Sequence, residues 1–179
     1  MKSKRSIDTP IVELTLRRYE KPYNLTKREL VRKLCLSIGL LQPGDSRDVV
    51  VDVLYILLEA RKDGKLLSSD QVNHDVILLR KNENLALNGI AGSNIRRQLK
   101  RLREVQLVEK VKNDYRITEF SSVKQTFDEK ITKYILPSII DRVKEYYEKV
   151  DQVFGEKQFE KNPVVDNLSK QNDNNPLKV

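Results

Sequence analysis

Five basic side chains fall close together near the middle of the chain: Arg96, Arg97, Lys100, Arg101 and Arg103. Glu104 is the one acid beside them. Apolar residues of the same segment recur at intervals of three and four: Ile95, Leu99, Leu102 and Val105. This spacing predicts an amphipathic helix from Asn94 to about Gln106, with Ser93 as its N-cap. One face of such a helix can pack on a core while the other meets a polyanion.

The chemistry available to the polar face of this helix is nucleic-acid recognition. Arginine can pair with O6 and N7 of guanine, asparagine can pair with adenine, and lysine and arginine bind phosphates. The residues at the N-terminal end are the best placed to contact bases: Ser93, Asn94, Arg96 and Arg97. Free backbone amides at that end can also donate hydrogen bonds to a phosphate. Lys100, Arg101 and Arg103 complete the expected contact set of the helix.

A candidate β-hairpin follows the basic helix. Leu107 to Val111 and Tyr115 to Ile117 read as short strands around the polar turn Lys112-Asn113-Asp114. The run AGSNIRRQLKRL from Ala91, followed by LVEK from Leu107, resembles the recognition helix and first wing strand of winged helix-turn-helix transcription regulators. The resemblance implies a mainly α fold with a small β-hairpin wing. It also implies that the wing contacts DNA through Lys110, Lys112, Asn113 and Arg116.

The chain departs from that family at two places. Such proteins commonly have glycine between the recognition helix and the wing, where this chain has Gln106. The stretch from Ser68 to Gly92 is also longer than a usual second helix and turn. These departures indicate a different turn at the helix end, and an insertion or a more open helix-turn-helix.

Periodicity predicts further elements before the basic helix. Alternation from Val12 to Leu16 favours a half-buried strand. A capping box opens a helix over Thr26 to Ile38, and a strongly apolar helix is expected from Asp45 or Ser46 to Gly64. Ser68 to about Lys81 is the last helix before the basic one.

The C-terminal region from about Ser122 is predicted to be a helical arm, broken or bent at Pro137 because proline cannot donate a backbone hydrogen bond. Its apolar residues follow the spacing of a coiled-coil seam, with a tyrosine beside it, and form the expected dimer interface: Leu136, Ile139, Val143, Tyr146, Tyr147, Val150 and Val153. Packing of this stripe on the chain's own core is the alternative.

The remaining composition excludes several classes of function. With one cysteine, Cys35, and one histidine, His74, the chain lacks the parts of histidine-cysteine metal sites and of Cys-His catalysis. Cys35 is expected to be a buried small hydrophobe, and His74 a helix-surface residue. No glycine-rich phosphate loop or paired-carboxylate motif is evident. We therefore expect no enzyme activity, no cofactor and no metal.

The net charge of +8 among 179 residues favours a polyanionic partner. The sequence shows no leader and no membrane span, so a cytoplasmic protein is expected, which would be nucleoid-associated if its source is prokaryotic. The domain prediction is a flexible N-terminus over 1–7, a winged-helix domain over 8–120, a helical dimerisation arm over 121–154 and a disordered tail over 155–179.

The expected function is binding of double-stranded DNA as a homodimer, in transcription regulation or chromosome organisation. The alternative is a winged-helix module that docks a protein partner in a replication, segregation or transcription complex.

Overall fold

The computed structural model describes residues 8–155. The predicted flexible N-terminus over 1–7 and the predicted disordered tail beyond Gly155 lie outside these residues. The described chain forms α1 (Lys27–Ser37), α2 (Val49–Lys62), β1 (Leu67–Ser68), α3 (Ser69–Asn82), α4 (Gly92–Glu104), β2 (Val108–Val111), β3 (Asp114–Ile117), a 3-10 turn (Thr118–Phe120), α5 (Val123–Thr126), a π-helix (Phe127–Ile135) and α6 (Leu136–Phe154). The fold is therefore mainly helical with a small sheet, as expected.

Two helices begin with reciprocal side-chain caps, and the sequence predicts the one at Thr26. The amide of Glu29 donates to Thr26 Oγ1 at 3.3 Å, and the Glu29 carboxylate accepts from the Thr26 amide at 2.8 Å. Ser68 and Gln71 make the same reciprocal pair at the start of α3. These bonds satisfy amides that have no partner within the helix, so the helix starts are fixed locally.

The predicted strand from Val12 to Leu16 is wrong. This segment pairs with no strand of the sheet, whose three members all lie between Leu67 and Ile117. It is instead tied to the end of α1, where the Arg17 amide donates to the carbonyl of Ser37 at 2.8 Å. Gly39 allows this close approach, because a Cβ there would lie 2.6 Å from Cβ of Thr15. Of the alternating residues only Leu14 is half-buried, whereas Val12 and Leu16 are exposed, so the alternation does not mark a buried face.

The sheet is antiparallel with strand order β1-β3-β2. The predicted hairpin is confirmed, with Val108 opposite Ile117 and Val111 opposite Asp114 around the turn Lys112-Asn113. The short strand β1, which the sequence pattern did not predict, pairs Leu67 with Tyr115. This pairing holds β3 against the segment that enters α3.

Helix α2 is the centre of the core and packs against α1, α3, α4 and β3. Its apolar residues Val51, Val53 and Leu54 have no exposed surface, which explains the nearly continuous hydrophobic run. The helix starts later than predicted, at Val49, because Asp45-Ser46-Arg47 remain outside it.

Asp52 is fully buried in α2, and it organises a network of charged side chains. Its two carboxylate oxygens accept from Nε of Arg28 at 2.8 Å and from Nε of Arg80 at 2.6 Å. Asp48 bridges the same two guanidinium groups at 2.8 and 2.6 Å and also accepts from Arg32 at 3.1 Å. Arg80 further donates to the carbonyl of Ala86 at 2.6 Å. The network thus joins α1, α2, α3 and the loop before α4.

The pKa of Asp48 shows the balance of forces in this buried charge network. Burial raises the pKa of Asp48, but the hydrogen bonds and charges of Arg28 and Arg80 lower it by more, and the net pKa lies below the ordinary value. The carboxylate is therefore charged throughout the neutral range, as its guanidinium partners require.

The C-terminal region begins as predicted, with Ser122 capping α5 through the amide of Gln125 at 3.0 Å. The helical chain then takes a π-helical form and returns to α-helical bonding at Leu136, one residue before Pro137. Pro137 therefore lies at the junction of the π-helix with α6, inside a continuous helical segment, where it cannot donate the backbone bond of its turn. The described residues separate into two compact units, 8–141 and 142–155.

We predict that Asp52→Asn lowers the free energy of unfolding by about 3 kcal/mol or more, because two buried guanidinium groups lose the charge that compensates them. Urea denaturation followed by circular dichroism measures this loss. The matched control Asp70→Asn changes an exposed carboxylate in the first turn of α3 and should cost less than about 1 kcal/mol. Equal losses in the two variants would show that the network is not a structural anchor.

Candidate nucleic-acid interface

Helix α4 has a fully buried face and an exposed basic face. Ile95, Leu99 and Leu102 have no exposed surface and pack the helix against α2, α3 and β2. The opposite side is exposed, and we call it the basic face: Ser93, Arg96, Arg97, Lys100 and Arg103. The amphipathic helix predicted from the sequence is therefore confirmed, with four of its five basic residues on the solvent side.

Three arginines of the basic face have no partner among the residues that the structure describes. Among residues 8–155, Arg96, Arg97 and Arg103 form no ion pair and donate no side-chain hydrogen bond. Lys100 lies 3.8 Å from Glu104, but both groups are largely exposed, so this pair contributes little energy. The basic face can therefore bind a phosphate or a base edge without first breaking a strong internal contact.

A chain of polar contacts holds α4 in place along the border between its two faces. Asn94 donates to the carbonyl of Gly89 at 2.6 Å and accepts from Gln98 at 2.8 Å. Gln98 in turn accepts from Arg101 at 2.9 Å, and Arg101 also donates to the carbonyl of Leu40. Asn94 and Arg101, both expected to contact nucleic acid, are thus half-buried and bonded within the chain.

The start of α4 differs from the prediction. Ala91 is the N-cap and provides no side-chain bond, so Ser93 lies inside the helix as an exposed residue and caps nothing. The prediction chose Ser93 because serine has a good capping side chain. Ala91 occupies the N-cap position through its backbone alone, which a side-chain pattern does not reveal. No described side chain caps the first turn of α4, and the amide of Asn94 donates instead to the carbonyl of Ala91 at 2.8 Å.

Helix α4 ends in a Schellman motif built on Gln106. The amide of Leu107 donates to the carbonyl of Leu102 at 3.1 Å, and the amide of Gln106 donates to the carbonyl of Arg103 at 3.0 Å. Gln106 has φ of 62°, a left-handed conformation that glycine adopts more readily. The sequence predicted a different turn here, because glycine is missing. That prediction is wrong: the helix ends in the usual turn, and Gln106 adopts the strained conformation that glycine would take.

The tip of the hairpin exposes three polar side chains, those of Lys110, Lys112 and Asn113. Arg116, the fourth residue expected to contact DNA, is half-buried: its Nε donates to Glu109 at 2.7 Å, and its guanidinium lies 4.6 Å from the centre of the Phe120 ring. The structure therefore places Arg116 in an internal contact at the base of the hairpin.

Glu109 fixes this base through two partners. Its carboxylate accepts from Arg116 and from the amide of Glu119 at 2.8 Å. Burial raises the pKa of Glu109, but the hydrogen bonds from the Glu119 amide and Arg116 lower it by more, so the net pKa falls below the ordinary value. The hairpin is thus held by a charged contact that persists at neutral pH.

The two residues with reactive side chains lie apart from this surface. Cys35 is buried in α1, and burial raises the pKa of its thiol to about 12, which suppresses the nucleophilic thiolate. His74 is exposed on α3, 3.2 Å from Asp75. In residues 8–155, no group of histidine, cysteine and carboxylate side chains is arranged to hold a metal ion. No helix of that part of the chain has the length and apolar character needed to cross a membrane.

Sequence patterns did not reveal the residues that orient the basic face. The network around Asp52 had one signal, a lone carboxylate within the apolar run VVVDVLYILL, since a buried charge needs a partner. Its partners Arg28 and Arg80 are far away in sequence, and nothing in their spacing identifies them. The buried position of Gln98 had no signal beyond its place between apolar residues of α4.

Comparisons with protein-family models, with curated proteins and with solved structures found no match to this chain.

We predict that Gln106→Gly raises the free energy of unfolding by about 0.5–1 kcal/mol, because glycine adopts the left-handed conformation without a Cβ clash. Thermal denaturation measures the gain. As a matched control, Arg103→Gly places glycine inside the same helix at an exposed position and should cost about 1 kcal/mol. A loss of stability in Gln106→Gly would contradict the assigned helix end.

Proposed function

We propose that this chain is a winged-helix protein that binds double-stranded DNA through the basic face of α4 and the tip of the β2-β3 hairpin. The observation that supports this most directly is the state of Arg96, Arg97 and Arg103. They are exposed and unpaired within residues 8–155, on a helix whose other side is fully buried. A helix so anchored can enter a groove as a rigid element.

The order of elements supports the winged-helix assignment. The succession α2, β1, α3, α4, β2, β3, with strand order β1-β3-β2, is typical of winged-helix domains. In this assignment α3 and α4 form the helix-turn-helix and the hairpin is the wing. The buried contact of Arg80 with the carbonyl of Ala86 holds the longer turn between the two helices.

The proposed contacts divide into two kinds. Arg96 and Arg97 lie in the N-terminal half of α4, where a recognition helix contacts base edges of a specific site in the major groove and phosphates of a duplex of any sequence. Lys100 and Arg103 lie further along the same face and suit phosphate contacts, as do Lys110 and Lys112 at the hairpin. Asn94, Arg101 and Arg116 are assigned positioning roles, because their polar groups already bind within the chain.

We predict that the double variant Arg96→Ala with Arg97→Ala weakens duplex binding and flattens its salt dependence. Each lost phosphate contact should change the slope of log affinity against log salt by about 0.9. Fluorescence anisotropy with a labelled random duplex, at several salt concentrations, measures both quantities.

The control for this double variant is Lys133→Ala with Lys144→Ala, which removes the same charge at exposed positions outside α4 and the hairpin. Only the arginine variant should change the slope. An equal effect of both variants would mean that net charge alone drives binding. Weak, non-saturating binding of the unmodified protein would favour the alternative, a winged-helix module that docks a protein partner.

We also propose that α6 associates with the same helix of a second copy. None of its residues is buried, although Leu136, Ile139, Val143, Tyr146, Val150 and Val153 follow coiled-coil spacing. Tyr147 widens this stripe and is 71% exposed. Paired helices would cover the apolar surface, and a two-fold protein matches a palindromic DNA site. Transcription regulation or chromosome organisation is the proposed setting.

We predict that the unmodified protein sediments as a dimer and that Val143→Asp with Val150→Asp sediments as a monomer, because carboxylates would face each other in the seam. Sedimentation velocity distinguishes the two states. The control variant Lys144→Asp with Gln152→Asp changes exposed residues off the stripe and should remain dimeric. A monomeric unmodified protein would refute this assembly.

A further inference from the structure

An apolar cavity of about 430 Å³ lies within the unit formed by residues 8–141. Its walls come from the extended N-terminal segment, the C-terminal half of α1, the junction of α4 and β2, and the helical segment after Ser122. The main apolar lining residues are Leu14, Leu34, Ile38, Leu107, Phe127 and Ile131. A cavity of this volume and lining is typical of small-molecule sites.

Every polar side chain on the wall is already bonded within the chain. The guanidinium of Arg17 donates to the carbonyls of Leu36 and Leu41 and to Gln42, at 2.9, 3.2 and 2.7 Å. The ammonium group of Lys124 is exposed and contacts Asp128 at 2.5 Å. Both cationic groups on the wall are therefore already bonded to oxygen atoms of the chain, and an anionic ligand would have to compete with these bonds.

The two hydroxyl groups on the wall are used in the same way. Ser37 Oγ donates to the carbonyl of Lys33 at 2.8 Å, and Thr126 Oγ1 donates to the carbonyl of Ser122 at 3.2 Å. No hydroxyl proton is left to donate to a ligand. The chemistry of the wall consequently favours a molecule with no charge and few polar atoms.

One wall of the cavity is π-helical. Phe127 and Ile131 both belong to the π-helix Phe127–Ile135, a rare form that is frequently found at functional sites. Val105 and Leu107, on either side of the strained Gln106, belong to another wall. A molecule in the cavity would thus contact the segment that joins α4 to the hairpin.

We infer that this cavity is a binding site for an uncharged, apolar small molecule. The site is separate from the basic face, so it does not depend on the DNA-binding proposal.

The probe for this site is N-phenyl-1-naphthylamine, an uncharged molecule that fluoresces in apolar surroundings. Added to the full chain, it should bind saturably, with one molecule per chain. Its sulfonated analogue, 8-anilinonaphthalene-1-sulfonate, has the same rings and a negative charge, and it should bind at least about tenfold more weakly at high salt, where the protein's net charge is screened. Stronger binding of the sulfonate would overturn the assignment of an uncharged ligand.

A matched pair of variants locates the bound probe. Leu16→Glu places a carboxylate at the rim of the cavity. Val12→Glu places one in the same segment but away from the cavity lining. The two side chains have similar exposure, 50% for Val12 and 45% for Leu16. Leu16→Glu should weaken probe binding by about tenfold or more, and Val12→Glu should leave it unchanged. Equal binding by both variants would mean that the probe sits elsewhere, such as on α6, and would overturn the proposal, as would non-saturable binding.

Discussion

The carboxylate of Asp52 is the constraint on which the rest of the fold depends. A charge with no exposed surface must be compensated by partners within hydrogen-bond distance, and here Arg28 and Arg80 meet it from two other helices. Asp48 repeats the bridge one helical turn earlier, so α1, α2 and α3 are fixed relative to one another. Hydrophobic residues around α2 supply much of the driving force for folding, but they are not directional. The ion pairs add direction, because guanidinium and carboxylate groups bond only in a narrow range of geometries.

This constraint extends to the surface that we propose for nucleic acid. Arg80 fixes the loop before α4 through the carbonyl of Ala86, and Asn94 fixes the same loop from the other side through Gly89. With its buried face packed on α2 and α3, α4 has little freedom to rotate about its axis. The basic residues of the chain thus fall into two groups. Residues of one group bond within the chain and hold the helices together. Residues of the other group, centred on Arg96 and Arg97, remain exposed and can bind nucleic acid.

The sequence predicted those features that arise from local interactions. The capping box at Thr26, the amphipathic α4 and the hairpin all follow from residues a few positions apart, and the structure confirms them. Features that depend on distant partners were not predictable in this way. Arg101 looks like a free basic residue until the fold brings the carbonyl of Leu40 beside it. The alternation from Val12 to Leu16 imitates a strand, although no strand edge lies beside it. The cavity likewise depends on four separate segments, and no single segment predicts it.

The most direct test of the central claim is an NMR titration of the protein with duplex DNA, observing backbone amide resonances. If the basic face of α4 and the hairpin tip form the interface, the largest shifts will fall between Gly92 and Arg103 and between Lys110 and Asn113. Amides of the buried network around Asp52 will hardly move. Shifts centred on another surface, such as the segment from Tyr19 to Lys33, or shifts too small and diffuse to define a surface, would contradict the account.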